Sequence, residues 1–322
     1  MGGSAKGSRV DLKQLKALVT VAEVGSVTRA AELLHLVQPA VTRQIRSLED
    51  ELGVALFERT PHGMRPTPAG VRLADRARRV LTELDRARAE LTPAPDAVAG
   101  LVSVGLLEST ADLIAGPLAA AVLRDHPGIE LRVQTAYSGH LQQWLDDGDL
   151  DLSLLYNLTR APSLNVRPLV RERLWAVAPP SAGLRAGRPV PLASVAGHPL
   201  VMPSPGHALR VLIDRAVAQA QAEVRVTVQT NSISLQKEFV RAGHGWTILP
   251  GVGIAADVAA GVFSAAPLAA PEVWRSIAIG TPRAGRASRA VETVAVELIR
   301  QVRAAVRAGR WPSAQLDQNA DG

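Results

Sequence analysis

The stretch Gln38-Pro39-Ala40-Val41-Thr42-Arg43-Gln44-Ile45-Arg46 concentrates the side chains best suited to reading a base pair. Gln bonds bidentately to adenine, Arg to guanine, and a Thr methyl can touch the thymine methyl. Gln38, Thr42 and Arg43 are therefore the candidate readers of sequence. Pro39 and Ala40 permit close apolar approach, and Arg46 extends the same polar face. Behind them Val41, Ile45, Leu48 and Leu52 recur at steps of four, three and four, the stripe a helix buries. Ser26, Thr28, Arg59 and Arg65 flank the stretch with hydroxyls and cations suited to phosphate, contacts that position without specifying.

No other chemistry assembles as clearly. The chain has no cysteine, which excludes disulfides, thiolate metal sites and a Cys nucleophile. None of the seven His pairs with another at i+3 or i+4, so no metal site is expected. Asp146, Asp147, Asp149 and Asp151 lack the oxygen spacing and closing Glu of a calcium loop. Gly251-Val252-Gly253 has no phosphate-loop continuation, and no nucleophile, base and orienting acid fall in a recognisable order. The sequence thus predicts neither an enzyme nor a cofactor. Met1 to Arg9 has no apolar core of a signal peptide, and no run is long and apolar enough to span a membrane, so the expected location is the cytoplasm.

The elements that must hold the reading face are legible. Asp11 as N-cap, with Gln14 three residues on, opens a helix carrying Leu12, Leu15, Val19 and Ala22, and Gly25 ends it. Ser26 caps a second helix. A break at His35 to Val37 precedes a third, with Pro39 in its first turn and Gly53 as its stop. Ala55 to Arg59 and Met64 to Pro66 are short extended runs about Thr60-Pro61-His62-Gly63, a hairpin wing. This is a winged helix-turn-helix over residues 11–67, with 1–10 a disordered tail. Thr67-Pro68 then starts a long helix and, with the hinge at Thr92-Pro93-Ala94-Pro95-Asp96, forms a linker over 68–95. Ala74, Ala77, Leu81, Leu84 and Leu91 keep near-heptad spacing, which suits pairing with a second copy; packing on its own domain is the alternative.

The charge distribution agrees. Of 36 Lys and Arg and 30 Asp and Glu in 322 residues, residues 1–92 hold 15 and 11, so the basic excess is densest at the start. Aromatics are only 3%, against an RNA surface of stacked rings.

From residue 96 to 310 the texture is α/β. Strands are expected at 101–106, 130–136, 151–156, 173–178, 200–202, 224–229, 246–249 and 276–280, with helices at 111–124, 141–147, 208–220, 235–242 and 289–308. The alternation argues a parallel sheet, in one body or two lobes. The segment 311–322 is polar and expected to be disordered.

Ser26-Val27-Thr28-Arg29-Ala30-Ala31-Glu32-Leu33-Leu34, then Gln38 to Ile45, Leu48-Glu49, Leu52-Gly53, Leu56-Phe57 and Arg59, resembles the DNA-binding region of LysR-type transcriptional regulators. Gly148 to Leu154 and Gly243 to Pro250 extend the likeness along the chain. Val37 departs from it, standing where many members carry Ser or Thr. Pro199 to Ser204 and Ser138 to Trp144 are similar to regulators of nitrogen or cyanate metabolism.

The resemblance implies a periplasmic-binding-protein-like pair of α/β lobes hinged by crossing strands, with a small-molecule effector between them. It also implies a sequence-specific regulator of transcription, a homodimer assembling to a homotetramer on an imperfectly palindromic operator, and contact with RNA polymerase. Small polar residues at strand ends fit such a cleft: Ser109 and Thr110, Ser138 and Gly139, Ser204 and His207, Asn231, and Thr247. Free N–H groups at helix starts favour an anionic effector, although Ser, Thr and Asn there are also ordinary caps. A solute-binding protein would share the C-terminal texture without the helix-turn-helix. An enzyme with an added regulatory module would need the catalytic set that is missing.

Overall fold

The computed structural model describes residues 10–61, 63–91, 98–156, 158, 161–283 and 287–317, without the side chains of 85–91. Expectations for the tail before Val10, the hinge at 92–96, Leu91's side chain and the end beyond Asp317 lie outside these. The chain divides into two units, residues 1–94 and 95–322.

In the first unit, α1 (Leu12–Val24) opens on a capping box in which Asp11 and Gln14 exchange side-chain bonds, and Gly25 closes it at φ 66°. Ser26 caps α2 (Val27–Leu33), and α3 (Gln38–Leu52) ends at Gly53, again left-handed. β1 (Phe57–Thr60) and β2 (Gly63–Pro66) pair antiparallel as the wing, and α4 (Pro68–Leu91) follows. Leu18, Val21, Ala30, Val41, Ile45, Leu48, Leu56 and Phe57 form one core.

Three polar contacts fix the wing. Glu49 Oε1 of α3 accepts from Leu56 N and Phe57 N at 2.7 and 3.2 Å. Thr67 Oγ1 accepts from Gly70 N and donates to Ala55 O at 2.8 Å. Met64 N donates to Gly25 O at 2.7 Å, and a Cβ on Gly63 would lie 2.3 Å from that oxygen, so the turn requires glycine.

α4 corrects one expectation. Ala74 and Ala77 are 1% exposed inside the unit's own core, so these two are not free for a partner, whereas Leu81 packs against that core and stays half-buried. The large apolar residues exposed along this helix, among those whose side chains are described, are Val71 and Val80, at 46% and 49%.

The second unit begins with β3 (Ala99–Leu107), α5 (Glu108–Asp125), β4 (Gly128–Ala136), α6 (Ser138–Asp147) and β5 (Leu152–Tyr156). β6 (Leu164–Ala178) carries the chain into a second lobe of β7 (Val190–Pro191), α7 (Leu192–Ala196), β8 (Pro199–Pro203), α8 (Ala208–Gln219), β9 (Arg225–Thr230), α9 (Ile233–Arg241), β10 (Thr247–Pro250), α10 (Ala255–Ala259) and β11 (Ser264–Ala269). β12 (Trp274–Pro282) returns to the first lobe, and α11 (Arg289–Arg307) and β13 (Ala314–Leu316) finish the chain.

β3 runs parallel to β4 and β5, as does β8 to β9. The crossing strands β6 and β12 are antiparallel, paired from Leu164↔Pro282 to Arg173↔Trp274, with a register shift between Ile277 and Ala278. β10, β11 and β13 also meet β6 antiparallel. The unit therefore holds a nine-stranded mixed sheet and a separate parallel pair, β8 with β9, rather than the all-parallel arrangement expected. The first half of β6 exposes Asn165 to Pro168, which hid it from a search for apolar runs. The expected disorder from 311 onward is also corrected up to Asp317. Trp311 is 1% exposed, and β13 pairs with β6.

Candidate DNA-reading helix and ligand cleft

On α3 the sequence-predicted readers share one accessible side. Gln38, Pro39, Arg43 and Arg46 are exposed, Ala40 and Thr42 half-buried, while Val41, Ile45 and Leu48 face the core. Thr42 Oγ1 donates to Gln38 O at 3.1 Å, and the Gln38 amide lies 3.4 Å from that hydroxyl, so the two side chains are ordered together. Val37, the N-cap, is 68% exposed and makes no side-chain cap. Ser26 Oγ accepts from Arg29 N at 3.3 Å, which leaves its proton for a phosphate, and Thr28 is exposed beside it. On the wing, Arg59 sits opposite Met64 and Arg65 opposite Glu58. The two arginines thus lie on opposite faces of the ribbon and cannot serve one phosphate together.

The second site is a narrow cleft of about 40 Å³ at the carboxyl ends of β3, β4 and β5, where parallel sheets collect ligands. The first lobe contributes Leu107, Glu108, Ser109, Ala136, Tyr137 and Tyr156. The second contributes His207, Leu209, Asn231, Ile233, Gln236, Leu249 and Pro250, and β12 contributes Arg275.

Beneath it lies a buried ion pair. Arg275 Nη2 is 2.6 Å from Glu172 Oε2, the side chains 2% and 0% exposed. Arg275 Nε donates to Glu172 at 2.8 Å and Nη2 to Ser109 Oγ at 2.8 Å, and the guanidinium lies over the Tyr156 ring. Glu172 Oε1 accepts from Val252 N, Trp311 Nε1 and Ser313 Oγ at 3.0, 2.9 and 2.7 Å. Both crossing strands, the second lobe and the C-terminal segment therefore meet at one carboxylate.

Two titratable groups line the wall. Burial raises the Tyr156 phenol to about 12, against the opposing effects of Arg275 and the Leu209 N–H. Burial, with Arg275 adding, lowers His207 to about 4. His207 Nδ1 accepts from Leu209 N at 3.1 Å and faces Tyr156 Oη at 3.2 Å. A neutral imidazole accepting at Nδ1 carries its proton on Nε2.

Of the eight sequence-predicted effector residues, Ser109, His207 and Asn231 line the cleft. Ser138 accepts from Tyr156 N at 3.0 Å, and Thr110 donates to Leu107 O at 3.0 Å; both are buried supports. Thr247 Oγ1 bonds Val201 O at 2.7 Å and lies 3.0 Å from Gln236 Oε1, behind the wall. Gly139 packs near the Tyr137 ring, and Ser204 N bonds Thr230 O, so neither lines the cleft. Arg275, Glu108, Tyr137, Tyr156 and Gln236 were missed. The available signal was a charged residue set against a buried strand, Arg275 before Ile277–Ile279. Among the described residues no helix is long and apolar enough to cross a membrane, and no His, Asp and Glu group is placed to hold a metal.

A winged helix-turn-helix joined to a two-lobed binding unit defines a ligand-sensing, DNA-binding regulator. Residues 12–71 match the family described as bacterial regulatory helix-turn-helix protein, lysR family, and residues 95–311 match the LysR substrate binding domain. The chain belongs to the LysR family of transcriptional regulators. It is 32% identical to the HTH-type transcriptional regulator BbuR of Bordetella bronchiseptica, over 94% of this chain and 93% of that one. It is 31% identical to the nitrogen assimilation regulatory protein Nac of Klebsiella aerogenes, over 75% and 78%. A cysteine-to-aspartate variant of full-length OxyR from Pseudomonas aeruginosa superposes with a TM-score of 0.70 at 24% identity, covering 96% and 98%. The relatives are transcriptional regulators, not enzymes.

Proposed function

We propose that two copies of this chain read an imperfectly palindromic operator through α3, and that a small molecule in the cleft of the second unit changes the outcome for transcription. The observation that carries the reading is the single accessible face of Gln38, Thr42, Arg43 and Arg46 over a buried Val41-Ile45-Leu48 stripe. From the N-terminal half of a recognition helix these side chains reach base edges, each good bidentate contact giving about 1–3 kcal/mol of discrimination. Ser26, Thr28 and Arg65 hold the phosphates alongside. Pairing uses the outer side of α4, with Val80 and Leu84, in place of Ala74 and Ala77. The binding units join dimers into a homotetramer, RNA polymerase is the downstream partner, and the cytoplasm is the place of action.

The sensing chemistry is noncovalent. Peroxide-inducible activators are among the relatives at 29% identity. This chain has no cysteine, so no thiol is available to oxidise.

Selection of binding sites from randomised duplexes tests the reading. Wild type should enrich two inverted half-sites, and Arg43→Ala should lose preference at one position in each. A pool that stays random after repeated rounds contradicts it.

A further inference from the structure

We propose that the effector cleft takes a small, uncharged, hydrogen-bonding molecule and excludes carboxylates and phosphates, because the cationic features facing it already hold carboxylates of this chain. The inference rests on reading the cleft as the effector site.

Arg275 directs Nε and Nη2 at Glu172 and Nη2 also at Ser109, so neither two-pronged edge of its guanidinium is open to a ligand carboxylate. The N-terminus of α9, where an anion would otherwise settle, holds Glu108 from the opposite lobe. Ser232 Oγ donates to Glu108 Oε1 at 3.2 Å and Ile233 N to Oε2 at 3.3 Å. In the adjoining hollow, which shares Glu108, Ser109 and Ile233 with the cleft, Lys237 Nζ is paired with Asp257 at 2.8 Å. His207 is held uncharged by burial, its Nδ1 taken by Leu209 N.

An acid entering here would lie beside Glu108 with no open cation to offset its desolvation. What the cleft still offers is neutral recognition. Arg275 Nη1, the Ser109 hydroxyl proton and the His207 Nε2–H remain as donors, between apolar walls of Leu107, Leu209, Ile233 and Leu249. A carbonyl or hydroxyl compound satisfies those donors. This reverses the anionic effector that helix starts alone suggested.

Matched probes test the proposal on the full-length chain: acetamide against acetate and benzamide against benzoate, by thermal shift and calorimetry at constant ionic strength. Wild type should respond to the amide and not to the acid. Glu108→Ala, which frees the α9 terminus, should take the acid about 3- to 30-fold more tightly than wild type. Glu108→Gln, which removes charge but keeps an acceptor, should show a smaller gain and serves if the alanine variant is unstable. A wild type silent to both probes with a Glu108→Ala that takes the acid still supports exclusion by charge. Wild-type binding of an acid as tight as its amide overturns the proposal, and so does a Glu108→Ala that stays closed to acids. Ala136→Trp fills the cleft and should abolish every response. Responses that survive it place the probes elsewhere, and then the cleft reading fails rather than the ligand class.

Discussion

At the scale of single residues, Glu172 and Arg275 matter most to the second unit. Removing one partner leaves a buried charge without compensation, so Glu172→Ala should lose about 3–5 kcal/mol in urea unfolding. Replacing both, Glu172→Leu with Arg275→Met, should cost much less while still removing the cleft's guanidinium. A double-variant loss equal to the sum of the losses of Glu172→Leu and Arg275→Met alone would show that the pair is not coupled. His207 sets a pH dependence. Its folded value of about 4 lies below the ordinary 6.5, so the unfolded chain takes up the proton first as pH falls through that window. Stability should decline there by about 1–2 kcal/mol, allowing for solvent screening at a site that is not fully buried. His207→Gln should flatten the difference between unfolding at pH 7 and pH 5; an unchanged difference would assign the dependence to other groups. The sequence placed Ser109, His207 and Asn231 at strand ends, where small polar residues are conspicuous. It did not reveal Arg275, because a charge beside an apolar strand acquires its meaning only from Glu172, 103 residues away.

At the scale of elements, α3 and the wing make separable contributions. Arg43→Ala should cost about 1–3 kcal/mol on the operator and relax preference at one base pair. Arg65→Ala should weaken all duplexes alike and lower the salt slope by about 1. Gel-shift titrations at several salt concentrations separate the two; a uniform loss from Arg43→Ala would move it to the phosphate class. The helices of the first unit were legible because caps and apolar spacing agree at each end: Asp11 with Gln14, Ser26, Gly53. α4 was read less well. Its near-heptad apolar residues suit a partner or the unit's own core equally, and only the packing of α1 against it assigns Ala74 and Ala77 to the core. β6 was half-read, since Leu174 to Ala178 is a continuous apolar run whereas Asn165 to Pro168 faces solvent.

At the scale of the whole molecule, pairing and DNA reading should fail together or separately according to which face is changed. Val80→Asp, on an exposed position, should shift sedimentation toward monomer with little loss of stability. Ala77→Asp, 1% exposed, should unfold the first unit instead. A Val80→Asp chain that keeps the wild-type assembly would remove this face of α4 from the interface. The central claim is specific recognition of a palindromic site. Its most direct test is a footprinting titration on the DNA upstream of the protein's own gene, at two salt concentrations, beside scrambled DNA. Two inverted half-sites about one helical turn apart should be protected, with affinity well above the scrambled control at both salts. Equal, weak binding to both DNAs that disappears as salt rises would be phosphate attraction alone and would contradict that claim.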